Sequence, residues 1–136
     1  MLDHLDHVGF IVRDIDQALP YYVGTLGLTV ASEECVPDAG VRLIYLDAGN
    51  TLIQLVQPIT NAPMLEFLSS RGEGLHHVCF AVDDIDAAVA HLAPGADVRV
   101  DLGGRGRRCA FLPVGPSGII AELTEIEPFD ANGHGG

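Results

Sequence analysis

Two stretches of the chain repeat each other. Residues 7–18 read HVGFIVRDIDQA and residues 77–88 read HVCFAVDDIDAA, so at an offset of 70 eight of twelve positions carry the same residue. A duplication this dense constrains the fold more than any composition figure. It divides the chain into two copies of one module, about 1–70 and 71–127, with 128–136 left as a flexible polar tail. A period near 70 is too long for a solenoid turn and suits a small supersecondary unit duplicated once.

Each copy predicts the same order of elements. Residues 4–12 alternate and are rich in Val, Ile and Phe, the pattern of a strand. Asp14 then opens a helix over about 14–23, capping its free amides, and Gly24 and Gly27 end it. Strands at 28–36, 41–47 and 51–57 follow, separated by the turn sequences VPDAG and DAGN. A linker helix at 62–71 leads to the second copy. That copy predicts a strand at 75–82, a helix at 84–93 opened by Asp84, and strands near 97–101, 107–113 and 118–126. The fold class is α+β, as two tandem βαβββ modules.

Composition excludes several functions. The chain of 136 residues has 19 acidic and 7 basic residues, a formal charge of −12, and all seven cations are arginine. Without lysine there is no Schiff-base or P-loop lysine. So acidic a chain offers no broad basic footprint for nucleic acid and no attraction to an anionic membrane surface. No apolar run approaches the ~18 residues of a membrane span, and the start lacks the features of a signal peptide. Cys35, Cys79 and Cys109 are scattered, without a C-x-x-C pair, and read as reduced thiols of a cytoplasmic protein.

The repeat also organises the polar residues. His7 and His77 are equivalent, each entering the apolar part of a first strand. The last strands, TLIQLV at 51–56 and GIIAELT at 118–124, align with a two-residue gap that sets Gln54 opposite Glu122. An amide or carboxylate inside an apolar strand costs several kcal/mol unless it has a partner. Two symmetric pairs result: His7 with Gln54, and His77 with Glu122. Two imidazoles, an amide oxygen and a carboxylate suit a divalent metal such as Co, Mn, Ni or Zn. His76 points to the opposite strand face from His77 and reads as supporting or structural. His4, His91 and His134 read as surface residues.

Arg105, Arg107 and Arg108 crowd into GGRGRR, three of the seven cations within four residues. In a glycine-rich turn of an acidic protein they predict contact with an anion, because arginine grips carboxylate or phosphate bidentately. Asp83, Asp84 and Asp86 read as helix capping and solvated charge. Glu73 reads as a linker charge, and Tyr21 and Tyr22 as packing.

The motifs DHVGF at 6–10, VPDAGVR at 36–42, LIQLVQP at 52–58, FLSSRGEGLHHVCFAVDDIDAA at 67–88 and GGRGRRCAFL at 103–112 carry a resemblance over nearly all of residues 3–126. On these residues the chain resembles the vicinal oxygen chelate superfamily, and within it the methylmalonyl-CoA epimerases. The resemblance implies paired modules forming a curved mixed sheet around a metal, with His7, Gln54, His77 and Glu122 as ligands. It implies inversion of the α-carbon of a 2-substituted malonyl-CoA through a metal-stabilised enolate, with Glu122 as an acid–base group. Glutamine cannot serve as that base. Arg105, Arg107 and Arg108 would then meet the coenzyme A phosphates or the substrate carboxylate, and the protein would be a homodimer. Some family members carry a glutamate at the position of Leu43, so a second base is not evident here. A glyoxalase-I-like lyase with the same ligands, and a non-enzymatic binding protein of the drug-resistance type, are the competing readings.

Overall fold

In the computed structural model, residues 1–130 are described. The eight strands are β1 (His4–Ile11), β2 (Thr29–Val36), β3 (Val41–Asp47), β4 (Leu52–Pro58), β5 (Gly74–Val82), β6 (Val100–Leu102), β7 (Arg108–Phe111) and β8 (Ile120–Glu125). The helices are α1 (Ile15–Leu19), α2 (Ala62–Arg71) and α3 (Ile85–Leu92). Both modules are βαβββ. The backbone groups into two compact units: one is His7–His76, the other joins Met1–Asp6 to the residues from His77 onward. The first residues belong there because Asp3 N donates to Ala81 O at 2.8 Å and Asp6 is gripped by Arg105 and Arg107.

In the His7–His76 unit the strand order is β2-β3-β4-β1, with β1 parallel to β4 and the other neighbours antiparallel. Side chains alternate across the sheet and so feed two cores. Ile44, Leu46 and Leu55 pack with Ile15 of α1 on one face. Leu43, Tyr45, Val56 and Ile11 pack with Met64 of α2 on the other. Asp14 caps α1 by accepting from Asp16 N, and Asn61 caps α2 by accepting from Met64 N.

The first helix departs from the sequence expectation. It is α-helical only to Leu19 and then continues as a π-turn over Pro20–Thr25, where Leu26 N donates to Tyr21 O. Pro20 has no N–H to give and crowds the carbonyl four residues back, so the chain widens at that point.

In the other unit the order is β5-β8-β7-β6, with β5 parallel to β8. Asp84 caps α3 by accepting from Ala87 N, and α3 lays Ile85 and Ala88 against Val82, Ala110 and Leu123. β6 begins at Val100, three residues later than expected, because Pro94–Asp97 form the approach to it rather than strand. Of the residues after β8, Phe129 N donates to Gly106 O at 2.8 Å and the Phe129 ring lies under Arg108. Residues 131–136, including His134 and most of the expected tail, lie outside the described residues.

Candidate functional site

Each unit places a buried histidine beside a buried polar side chain on a neighbouring strand. In the first, β1 and β4 pair with Gly9 opposite Gln54, and β4 pairs with β3 so that Gln54 faces Tyr45. Alternation puts His7 on the same face as Ile11, the face that α2 covers. The His7 ring meets the Tyr45 ring edge-on, with centroids 5.4 Å apart. Gln54 Nε2 donates to Tyr45 Oη at 3.1 Å. His7, Gln54 and Tyr45 are all buried.

The second unit repeats this with altered chemistry. Glu122 on β8 lies between Cys79 on β5 and Phe111 on β7. The His77 ring meets the Phe111 ring edge-on, again at 5.4 Å. His77 Nε2 lies 3.4 Å from Glu122 Oε1, and both residues are buried. Two thiols border the carboxylate. Burial, and then the Glu122 charge, pushes Cys109 up to about 12 and Cys79 higher still, so both stay protonated. Cys35, by contrast, is exposed.

The arginine cluster meets anions, and those anions are the protein's own. Arg105 pairs with the buried carboxylate of Asp6, and Arg107 Nη1 lies 3.5 Å from the same residue. Arg105 takes a left-handed backbone conformation (φ 60°) to do so. Arg108 grips Glu125 with two nitrogens, at 2.8 and 2.9 Å, and reaches Asp86 at 3.1 Å. Glu125 in turn accepts from Ile85 N at the start of α3. Arg108 is therefore a clamp between strand and helix. Its repeat equivalent is Arg42, which pairs with Asp16 just as Arg108 pairs with Asp86.

The sequence profile of the Glyoxalase/Bleomycin resistance protein/Dioxygenase superfamily matches residues 6–111. The chain belongs to that superfamily. It is 34% identical over 135 residues to an ethylmalonyl-CoA/methylmalonyl-CoA epimerase of Cereibacter sphaeroides, covering 93% of this chain and 100% of that one. It is 32% identical over 131 residues to the mitochondrial methylmalonyl-CoA epimerase of Homo sapiens, covering 91% and 74%. The crystal structure of methylmalonyl-CoA epimerase from Mycobacterium tuberculosis superposes with a TM-score of 0.83 at 31% identity, covering 95% of this chain and 90% of that one. The α+β class and tandem βαβββ modules expected from the repeat are those of this glyoxalase-like fold.

The remaining sequence candidates fall away from these residues. His4 is exposed and bonded to Asp3, and His91 is exposed on α3. His76 packs edge-on against Phe67 of α2 at 5.0 Å, a structural role. Glu73 accepts from Arg13 N at 2.8 Å and so does more than carry a linker charge. Tyr21 and Tyr22 line a cavity of about 520 Å³ with Phe10 and Arg13, on the α1 side of the sheet and so across it from His7 and Gln54. Tyr45 and the thiols beside Glu122 were not singled out by sequence. A hydroxyl in the apolar run LIYL was the available signal for Tyr45. No helix among the described residues is long and apolar enough to cross a membrane.

Proposed function

We infer that this chain is a metal-dependent epimerase that inverts the α-carbon of methylmalonyl-CoA or a related 2-substituted malonyl-CoA. The observation that carries the reading is a buried glutamate held 3.4 Å from a buried histidine. It sits in the module whose repeat partner keeps the histidine but replaces the carboxylate with an amide. The relatives named as epimerases of methylmalonyl-CoA and ethylmalonyl-CoA give the substrate class.

The residues suit a divalent cation. Two donors bound ~2.1 Å from one ion at a near-tetrahedral angle lie ~3.4 Å apart, and His77 Nε2 and Glu122 Oε1 have that separation. His7, Gln54, His77 and Glu122 together would hold the ion, four buried side chains of imidazole, amide and carboxylate type. Cobalt, manganese, nickel and zinc all accept that donor set. Such an ion supplies Lewis-acid stabilisation of the negative charge that develops on the thioester oxygen as the α-proton leaves.

The chain's own residues do the rest. Glu122 takes the α-proton from one face and water returns a proton to the other, whereas Gln54, an amide, only donates an oxygen. Cys79 and Cys109 border the Glu122 carboxylate and, held protonated, put no second negative charge beside it. Leu43 shares the Tyr45 face and is buried hydrocarbon, so β3 supplies no second carboxylate there. Arg105 and Arg107 set the loop through Asp6, and any substrate anion would meet them at its rim. On this reading the protein is cytoplasmic and works as a homodimer, as its unpaired cysteines and the superfamily resemblance respectively imply.

The test is α-proton exchange in deuterated water with methylmalonyl-CoA. Deuterium incorporation that chelation abolishes and added Co²⁺ restores is the expected result. No exchange on the CoA ester, with turnover of a glutathione hemithioacetal instead, would overturn the assignment.

A further inference from the structure

The two modules provide an internal comparison at one strand position. Tyr45 faces Gln54 across β3 and β4, and Phe111 faces Glu122 across β7 and β8. Both rings pack edge-on against the module's histidine at 5.4 Å. The pairs are equivalent in ring, register and histidine contact. They differ in one hydroxyl, and that hydroxyl occurs where the facing residue is an amide.

We propose that Tyr45 is a positioning residue that fixes which end of the Gln54 amide faces the metal. This rests on the reading of Gln54 as a ligand. A carboxylate presents two equivalent oxygens, so Glu122 works in either rotamer and its neighbour needs no polar atom. An amide presents an oxygen, which binds cations, and an NH₂, which repels them. Turning the amide by half a rotation would aim the wrong end inward. Gln54 Nε2 donates to Tyr45 Oη at 3.1 Å, and this bond ties the nitrogen down and leaves Oε1 as the end directed elsewhere. Tyr45 is 2% exposed and Gln54 5%, so little water is at hand to replace the bond. Partners that orient a ligand in this way affect metal affinity by about 10–100-fold.

The experiment measures Co²⁺ affinity by calorimetry, and the visible Co²⁺ spectrum, for the wild type, Tyr45→Phe, Gln54→Glu and the double variant. Tyr45→Phe should weaken binding by about 10–100-fold and weaken or shift the ligand-field bands. Gln54→Glu restores two equivalent oxygens, so adding Tyr45→Phe to it should cost no affinity. Near-ultraviolet circular dichroism reports that each variant is folded. Two results overturn the proposal: unchanged affinity and spectrum in Tyr45→Phe, or an equal loss whether residue 54 is Gln or Glu. The second would mean that the hydroxyl acts through His7 or the core instead. A wild type that binds no divalent ion would overturn the metal reading itself, a distinct outcome.

Discussion

Replacing Arg108 with methionine separates a structural clamp from a substrate contact. Arg108 makes a two-nitrogen grip on Glu125, and their side chains are 29% and 13% exposed. Exposed pairs contribute ~0.2–1 kcal/mol, while breaking a fully buried pair costs ~3–5 kcal/mol. A half-buried bidentate pair lies between, at about 2 kcal/mol. The cation over the Phe129 ring adds about 0.5 kcal/mol at this exposure. At this chain length such a loss lowers Tm by roughly 8 °C. Methionine keeps most of the stem's packing, so the change reports the guanidinium. The pH dependence gives a second reading. The Arg108 bonds hold the Glu125 carboxyl below its ordinary value of 4.5, against the opposing effect of burial. A depressed folded-state value stabilises fully above the unfolded value and is lost as pH falls through the folded one. The gap between wild type and variant should therefore be widest at neutrality and begin to narrow as pH falls below about 4.5, closing only below the lowered folded-state value. Thermal unfolding of the metal-free proteins followed by circular dichroism measures both quantities, and steady-state kinetics supply KM for the CoA ester. An unchanged Tm with a KM raised tenfold or more would refute the clamp and return Arg108 to the substrate.

Glu122→Gln should lower α-deuterium exchange by at least ~100-fold while leaving the fold intact, as seen by circular dichroism; activity near the wild-type level would remove Glu122 from the proton-transfer role. Gly40→Ala should cost about 2–4 kcal/mol in urea unfolding. Gly40 sits at φ +69°, and a Cβ there would lie 2.5 Å from Thr60 Oγ1 and 2.8 Å from Asn61 N. Gly24→Ala, at an ordinary φ with nothing within 4 Å of the added carbon, is the control and should be neutral or slightly stabilising.

Most of the fold was legible because its signals are local and occur twice. Asp14 and Asp84 cap helices, glycine-rich turns separate strands, and the offset of 70 reads one module against the other. That His7, Gln54, His77 and Glu122 are buried polar side chains was legible for a related reason: a polar residue kept in an apolar strand shows up when two copies are compared. The partners of the arginines were not legible, because they are set by tertiary approach. Arg105 is 99 residues from Asp6 in sequence. Arg42 and Arg108 are equivalent at a spacing of 66, which the offset of 70 conceals. With the strand register known, the Arg108–Asp86 pair has its counterpart in Arg42–Asp16, where the other module uses the same arginine to hold its helix. The π-turn at Pro20 has no counterpart in the other module and so could not be read by comparison.

The register also separates what the duplication kept from what it changed. Kept are the helix caps, the acceptors at the helix starts (Gln57 bonded to Ile15 N, Glu125 to Ile85 N), the arginine–aspartate pairs and the histidine-on-ring contacts. These hold backbone and rotamers, and both halves need them. Among the changed positions are Gly9 to Cys79, Leu43 to Cys109, Gln54 to Glu122 and Tyr45 to Phe111. Each of these four pairs lies, by strand alternation, on the same sheet face as its module's histidine. On that face one module carries a carboxylate, a group of the proton-transfer type, where the other carries an amide, which does not exchange its proton usefully. Inversion at one carbon needs a proton removed from one face and returned to the other, so a carboxylate in only one module leaves the return to a group other than its repeat partner.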